Sequence, residues 1–553
     1  MRPAEASPTL LASLVALLSI PAVPCQEDHA HHHGSPEALG SVRFQVSCSP
    51  QAQQEFNHAA ALLHSFWYGE AEKAFTRVAA ADPRCGMAYW GVAMTHYHPI
   101  WAPPGPDDLK AGMTALEKAK TTGTGTDREK DFIGALEVFY KDSEKVDHMT
   151  RAVAYEKAMQ RVYERYSQDH EAGIFYALAI LGRSVPTDKT YAQQKRAAEI
   201  LNRILPDEPR HPGIAHYMIH AYDHPELAAL ALPAARAYAR IAPDAPHALH
   251  MPSHIFTRLG MWEDSIRSNT ASAESAWRQI AGGDRDMGTF DQLHAMDYLE
   301  YAYLQTGQDD KAKQVVEDLG RVRRLDRPMV QAGYAFTAIP ARNAVERGRW
   351  EEAAALEVAP AWFPWGKYRW AEANVYFARA VGAARSGRAP AARAEVDRLA
   401  SIHDALAAAK DAETDRVEIL RLAAAGWTAR AARQDDEALR LLRAAARLDD
   451  AIDKDPVTPG AILPARELLA DLLLDLGRPR EALDEYEAVL RVAPKRFRAT
   501  AGAARAAELA GDRHRAKTHY NELLAFCDPA STRPEVLAAK TFVESRGAMR
   551  ERP

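Results

Sequence analysis

The sequence predicts an all-α chain, a right-handed superhelical solenoid of helix–turn–helix units running from about residue 48 to residue 527. Three observations carry this expectation. Like residues recur 34 apart: His64 with His98, His216 with His250, and His220 with His254. That spacing is the length of one paired-helix unit in a stacked array. Segments with apolar residues at helical spacing are closed by Gly turns, or by Asp-Pro and Ala-Pro. No segment alternates apolar and polar residues over any length, so no sheet is expected.

The elements follow in order. Residues 1–25 read as a secretory signal, with Arg2, the apolar run Leu10–Val23, and small residues and Pro before Gln26. The run is too short to span a membrane, and nothing later resembles a transmembrane segment. The expected location is secreted or periplasmic. Residues 26–45, with His29 and His31–His33, read as a disordered, His-rich linker, either a solvated tail or a tract that loads metal.

Repeats begin near Cys48. In QQEFNHAAALLHSFWYGEAEKAFTRVAAADP (53–83), GEAEKAF and the closing Asp-Pro mark a second helix and its end. The next unit opens with CGMAYWGVAMTHYHPIW (85–101). PIWAPPGPDD (99–108) reads as an ordered loop rather than a helix, and helical patterns resume over 109–120, 127–141 and 147–166. AAEILNRILPDEP (197–209) and ALPAARAYARIAP (231–243) are the same unit end, 34 residues apart. LGMWEDSIRSN (259–269), DQLHAMDYLEYAYLQTGQDDKA (291–312), NAVERGRWEEAAAL (343–356) and LLLDLGRPREALDEYEAVLRVAP (472–494) continue the series. The chain divides by function into residues 46–310, which carry the histidine cluster, and 311–553, which read as plain scaffold and tail.

These units resemble the tetratricopeptide repeat family over most of residues 48–527. HYMIHAYDHPE and HALHMPSHIFTRLGMW are also similar to a group of secreted bacterial repeat proteins of unsettled role. The resemblance implies a concave face lined by the first helix of each unit, with ligand contacts near the start, middle and end of that helix.

Seven of the chain's 21 histidines lie between His211 and His254. His216 with His220, and His250 with His254, have i,i+4 spacing and leave one face of a helix. If Gly260 and Gly307 mark equivalent turns, His216, His250 and Asp297 share one concave position. His220, His254 and Tyr301 share the next, while His247 and His294 stand one turn earlier. His224, His98 and His64 occupy the late position. The spacing of 47 between Gly260 and Gly307 requires a longer second helix or loop around IAGGDRDMG (280–288).

Imidazole nitrogen binds zinc at about 2.0–2.1 Å, and adjacent helices lie about 8–10 Å apart. His216, His220, His250 and His254 are thus expected to converge on one ion, the other readings being a ligand held by unmetallated rings and packing alone. His247, His294, Asp297, His224, Asp223 and Tyr301 are further ligands, orienting groups or a general base. The all-nitrogen set favours zinc or copper, with nickel in the same class, over calcium or magnesium. Pro252 either kinks the second histidine helix or sits harmlessly in its first turn.

Cys48 and Cys85 each precede the first helix of successive units; they form a disulfide, or else stand as two unpaired small residues. The net charge of -6 and the lack of a basic stripe argue against a nucleic-acid partner. No P-loop, dinucleotide fingerprint or nucleophile motif is present. Two functions remain: a metal-binding repeat protein, with or without catalysis, and a scaffold that holds a protein or peptide ligand in its concave groove without metal chemistry.

Overall fold

The computed structural model describes residues 38–544, apart from 101–102, 123–124, 281–283, 285, 327–328 and 456. The signal segment and most of the His-rich linker lie outside the described residues.

Helix pairs follow one another from Pro50–His64 and Tyr68–Ala81 to Phe497–Leu509 and Arg513–Phe526, with Pro534–Glu544 after them. The fold is therefore an all-α helical repeat. Left-handed residues mark the turn inside successive units: Phe66, Gly260, Gly307, Gly348, Gly387, Arg433, Gly477 and Gly511. At Gly260 (φ 63°) a Cβ would sit 2.5 Å from the Pro494 carbonyl oxygen, so glycine serves both the turn and a long-range contact. The extra length between Gly260 and Gly307 lies in the long helix Trp262–Gln279 and the segment after it. There Met287–Gly288 pairs in parallel with Arg324–Leu325, a two-residue ladder.

Two local expectations need correction. Residues 38–45 are packed rather than solvated. Val42, Phe44 and Val46 alternate inward, and Phe44 lies against Phe56, Trp90, Phe132 and Phe175. The strap is tied by side chains instead of a partner strand: Ala38 N–H donates to Asp244 (2.6 Å), Phe44 N–H to Asn57 (3.2 Å) and Ser47 N–H to Glu129 (2.6 Å). The alternation is too short to read as a strand, and nothing local shows what it packs against. The Pro-rich loop is also shorter than expected. A helix starts at Pro106, because proline suits the first helical position and Asp107 and Asp108 follow at its positive end.

The structure joins Cys48 to Cys85, with Cα atoms 5.0 Å apart. Residues from Ala38 onward form one compact unit, and the C-terminal half folds back on the middle of the chain. Trp262 Nε1 donates to the Lys495 carbonyl (2.9 Å), and Phe497 N–H to Gln305 Oε1 (2.9 Å). The segment between Asp435–Ala451 and Ala465–Asp475 lies against the middle of the chain. Its Asp453 N–H donates to the Pro186 carbonyl (3.1 Å), while the Asp453 carboxylate holds Lys189 (2.5 Å) and His224 (3.0 Å). Among the described residues, no helix is long and apolar enough to cross a membrane.

Candidate metal centre

Three first helices build the site: Pro212–Tyr222, the broken helix Pro246–His250 and Pro252–Arg258, and Phe290–Gln305. Pro252 opens the second half of the broken helix. Met251 keeps helical dihedrals (φ -52°, ψ -36°), so the axis carries through and His250 and His254 stay on one side. Within each pair the ring nitrogens meet. His216 Nε2 and His220 Nε2 are 3.1 Å apart, and His250 Nε2 and His254 Nε2 are 3.0 Å apart.

The four rings do not converge on one point. They divide into two sets, each completed by a histidine of the following first helix. His247 joins His216 and His220, and His294 joins His250 and His254, with the ligand atoms of each set within 4.8 Å of one another. The offset is the same in both cases, since His247 and His294 each stand one turn before a pair position. The two sets touch: ring centroids of His220 and His254 lie 6.0 Å apart, and those of His247 and His250 also 6.0 Å. The six rings are 0–9% exposed, so this is a closed centre and not an open concave surface.

What holds the outer nitrogens decides the chemistry. His216 Nδ1 donates to the carbonyl of His64 (2.7 Å). His254 Nδ1 donates to Asp223 Oδ2 (2.9 Å). His250 Nδ1 is 2.6 Å from Asn269 Oδ1. Because Asn269 Nδ2 donates to the Ser265 carbonyl (2.8 Å), its oxygen faces the ring and His250 Nδ1 is the donor. Each of these rings, when neutral, therefore turns a bare Nε2 lone pair inward.

Neutral is the state burial imposes. Burial, and then the neighbouring His220 and His247, hold His216 well below the usual imidazole range. Burial, with His294 and His254 next, does the same for His250. His254 is pushed down to about 4 by burial, although Asp223 pulls the other way. Burial also lowers His220 and His294. Asp223 is buried too, but Lys454 and Arg258 hold it well below the usual carboxylate range.

Of the other expected residues, Asp223 reaches the site with its side chain, His64 only with its carbonyl, and the rest do not. Asp223 accepts from His254, Arg258 Nε (2.8 Å) and Lys454 Nζ (3.0 Å). Asp297 is turned to Arg342 Nη1 (2.5 Å), and Tyr301 takes Arg496 Nη1 (3.0 Å). His224 binds Asp453 instead. His64 lies one layer behind His216, where Glu171 accepts from its Nε2 (3.1 Å) and from His211 Nε2 (3.0 Å). These three form a further possible ligand group, one whose carboxylate already serves both imidazole N–H groups. His98 packs against Tyr68 (4.6 Å between centroids).

Sequence reasoning missed Asn269, Tyr298 and Lys454. Tyr298 stands four residues after His294, and its ring lies 4.8 Å from both His250 and His254, a neighbour that helical spacing could have found. Asn269 is in the second helix of the His250 unit, where a polar residue facing a histidine gives a weak signal. Lys454 had none, because it arrives from the segment after Ala451 in the half read as plain scaffold.

The chain is thus an all-α helical-repeat protein whose units resemble tetratricopeptide repeats, with a buried six-histidine cluster. No protein-family model and no curated protein matches it. Among solved structures, the human IFIT1 dimer with m7Gppp-AAAA is similar at 13% identity and a TM-score of 0.36, over 80% of this chain and 90% of that one. Yeast Tom70 is similar at 12% identity and a TM-score of 0.29, over 91% and 97%. The APC/C hetero-tetramer Cut9–Hcn1 gives 12% and 0.31, over 90% of each chain. Likeness this distant transfers nothing about function.

Proposed function

We propose that this protein is an exported helical-repeat protein that holds two transition-metal ions, one on His216, His220 and His247 and one on His250, His254 and His294. One observation carries the reading. His250 and His254 both spend their Nδ1–H groups on fixed acceptors, yet bring their Nε2 atoms to 3.0 Å. Two bare lone pairs at that distance repel unless something electron-poor lies between them. A proton there would put charge on a ring that burial keeps neutral. A metal ion resolves the conflict, since two ligands at 2.0–2.1 Å on a tetrahedral ion stand about 3.3 Å apart.

The outer contacts fit the same role. A ligating histidine commonly gives its other N–H to a carboxylate, amide or carbonyl, which fixes tautomer and orientation. Asp223, Asn269 and the His64 carbonyl are those three acceptors. The ligand set is zinc- or copper-like, with three imidazole nitrogens in each group. Export is supported by the Cys48–Cys85 bond, since disulfides persist in oxidising compartments. A peptide held at the histidines is disfavoured, because the chain's own Asp453–Lys454 segment lies against that region.

Elemental analysis tests the reading. Protein from metal-supplemented growth should carry two equivalents of zinc or copper per chain. Changing His250 and His254 together to Ala should remove one equivalent, changing His216 and His220 should remove the other, and helix content should survive both. Wild-type protein with less than one equivalent would end the proposal.

A further inference from the structure

Building on the two-ion reading, we infer that the pair of sites is a copper pair whose substrate is dioxygen. Charge selects the metal. All six ligands are imidazoles, which bring no negative charge to a metal, and neither set includes a carboxylate or thiolate. The charged groups around them cancel: Asp223 faces His254, and Asp291 lies 3.6 Å from His247, but Arg258 and Lys454 sit on Asp223 at 2.8 and 3.0 Å. Two dications in this closed space would bring four uncompensated charges, which burial penalises steeply. Zinc has no lower charge state and takes a fourth ligand. Copper can enter as two monocations, and the three nitrogens of each set satisfy a d10 copper(I) ion without a fourth.

Geometry and walls select the substrate. The two sets stand side by side, with ring centroids 6.0 Å apart between them, the adjacency that one small ligand shared by both ions requires. The rings are at most 9% exposed, and Phe66, Tyr238, Phe290 and Tyr298 pack against them. Closed, largely aromatic surroundings favour a small, uncharged partner over a bulky or charged one. Each copper(I) gives one electron, and dioxygen takes both to become peroxide bound between two copper(II) ions. The O–O link falls from a double to a single bond. No proton moves and no other reductant is consumed. The two negative charges gained offset half of the four positive charges then present.

The test uses the full mature chain, stripped of metal, loaded anaerobically with two equivalents of copper(I) and then titrated with dioxygen. Expected are one dioxygen taken up per two coppers, a new near-ultraviolet charge-transfer band, and no copper(II) paramagnetic resonance signal, because the two spins couple through the bridge. His294→Ala should keep one copper, show a full single-copper signal on oxidation, and lack the band. Two retained coppers that give a full two-spin signal and no dioxygen uptake would overturn the inference while leaving the two-ion reading intact. So would exclusive uptake of two zinc ions when both metals are offered. Retention of less than one metal ion would overturn both readings.

Discussion

The same register position has two fates in neighbouring units. His250 and Asp297 occupy equivalent places on successive first helices, and both are buried, at 1% exposure each. Around Asp297 the chain supplies its own counter-charge: Arg342 pairs with it at 2.5 Å and also donates to Thr458 (2.7 Å). The pattern continues beyond, where Arg496 lies between Glu346 and Glu467 at 2.6 Å each. Around His250 and His254 the described residues supply acceptors for the outer nitrogens and no donor for the inner ones. A buried carboxylate held by an arginine has its charge answered within the chain even though Asp297 Oδ2 and Arg342 Nε find no hydrogen bond, whereas two lone pairs facing each other are answered only by a ligand.

The largest effect expected from this contrast is on metal-free protein in mild acid. His216, His220, His250, His254 and His294 are all held below their usual range by burial in the folded chain. Unfolded histidine titrates near 6.5. Below that pH the unfolded chain takes up protons that the folded chain refuses. The stabilisation is therefore complete above about pH 6.5. It is lost as pH falls toward the folded values, which for His254 means about 4. The loss should be about 1.4 kcal/mol per ring per pH unit within that window. Urea midpoints of chelated protein between pH 7.5 and 5 measure it, and a flat profile would contradict the closed, neutral cluster.

Next in size is the charged network. Arg342→Met leaves Asp297 buried without its partner and should cost about 3–5 kcal/mol. Adding Asp297→Leu should restore most of that loss, while metal content stays unchanged. The histidine pair should behave differently: His250→Leu with His254→Leu should leave metal-free protein as stable as before or more so, and lower the stability of metal-loaded protein. Equal destabilisation of both forms would erase the distinction between the two regions.

The smallest effects concern the outer acceptors. Asn269→Leu frees His250 to turn over its tautomer, and Asp223→Asn weakens the hold on His254. Each should reduce affinity at the His250 site by about 10–100-fold, and leave the His216 site unchanged. Competition with a chelator resolves the two sites, and equal losses at both would argue against separate ions.

The sequence by itself determined the helices, their pairing and the register of the histidines. Those depend on apolar spacing, Gly turns and a repeat of 34, all local or periodic. It also brought His247 and His294 into register with each other, through the Gly260 and Gly307 turns. Tertiary structure decided the rest. A third ring from the next helix splits four histidines into two sets of three, because ring direction depends on helix packing and not on spacing. Asn269 and the His64 carbonyl choose which nitrogen faces inward, and no pattern in a chain encodes a tautomer. Lys454 and Asp453 fold back on Asp223 and His224 from more than 200 residues away. That closure turns an expected concave face into a buried cluster, and only burial makes the bare lone pairs costly.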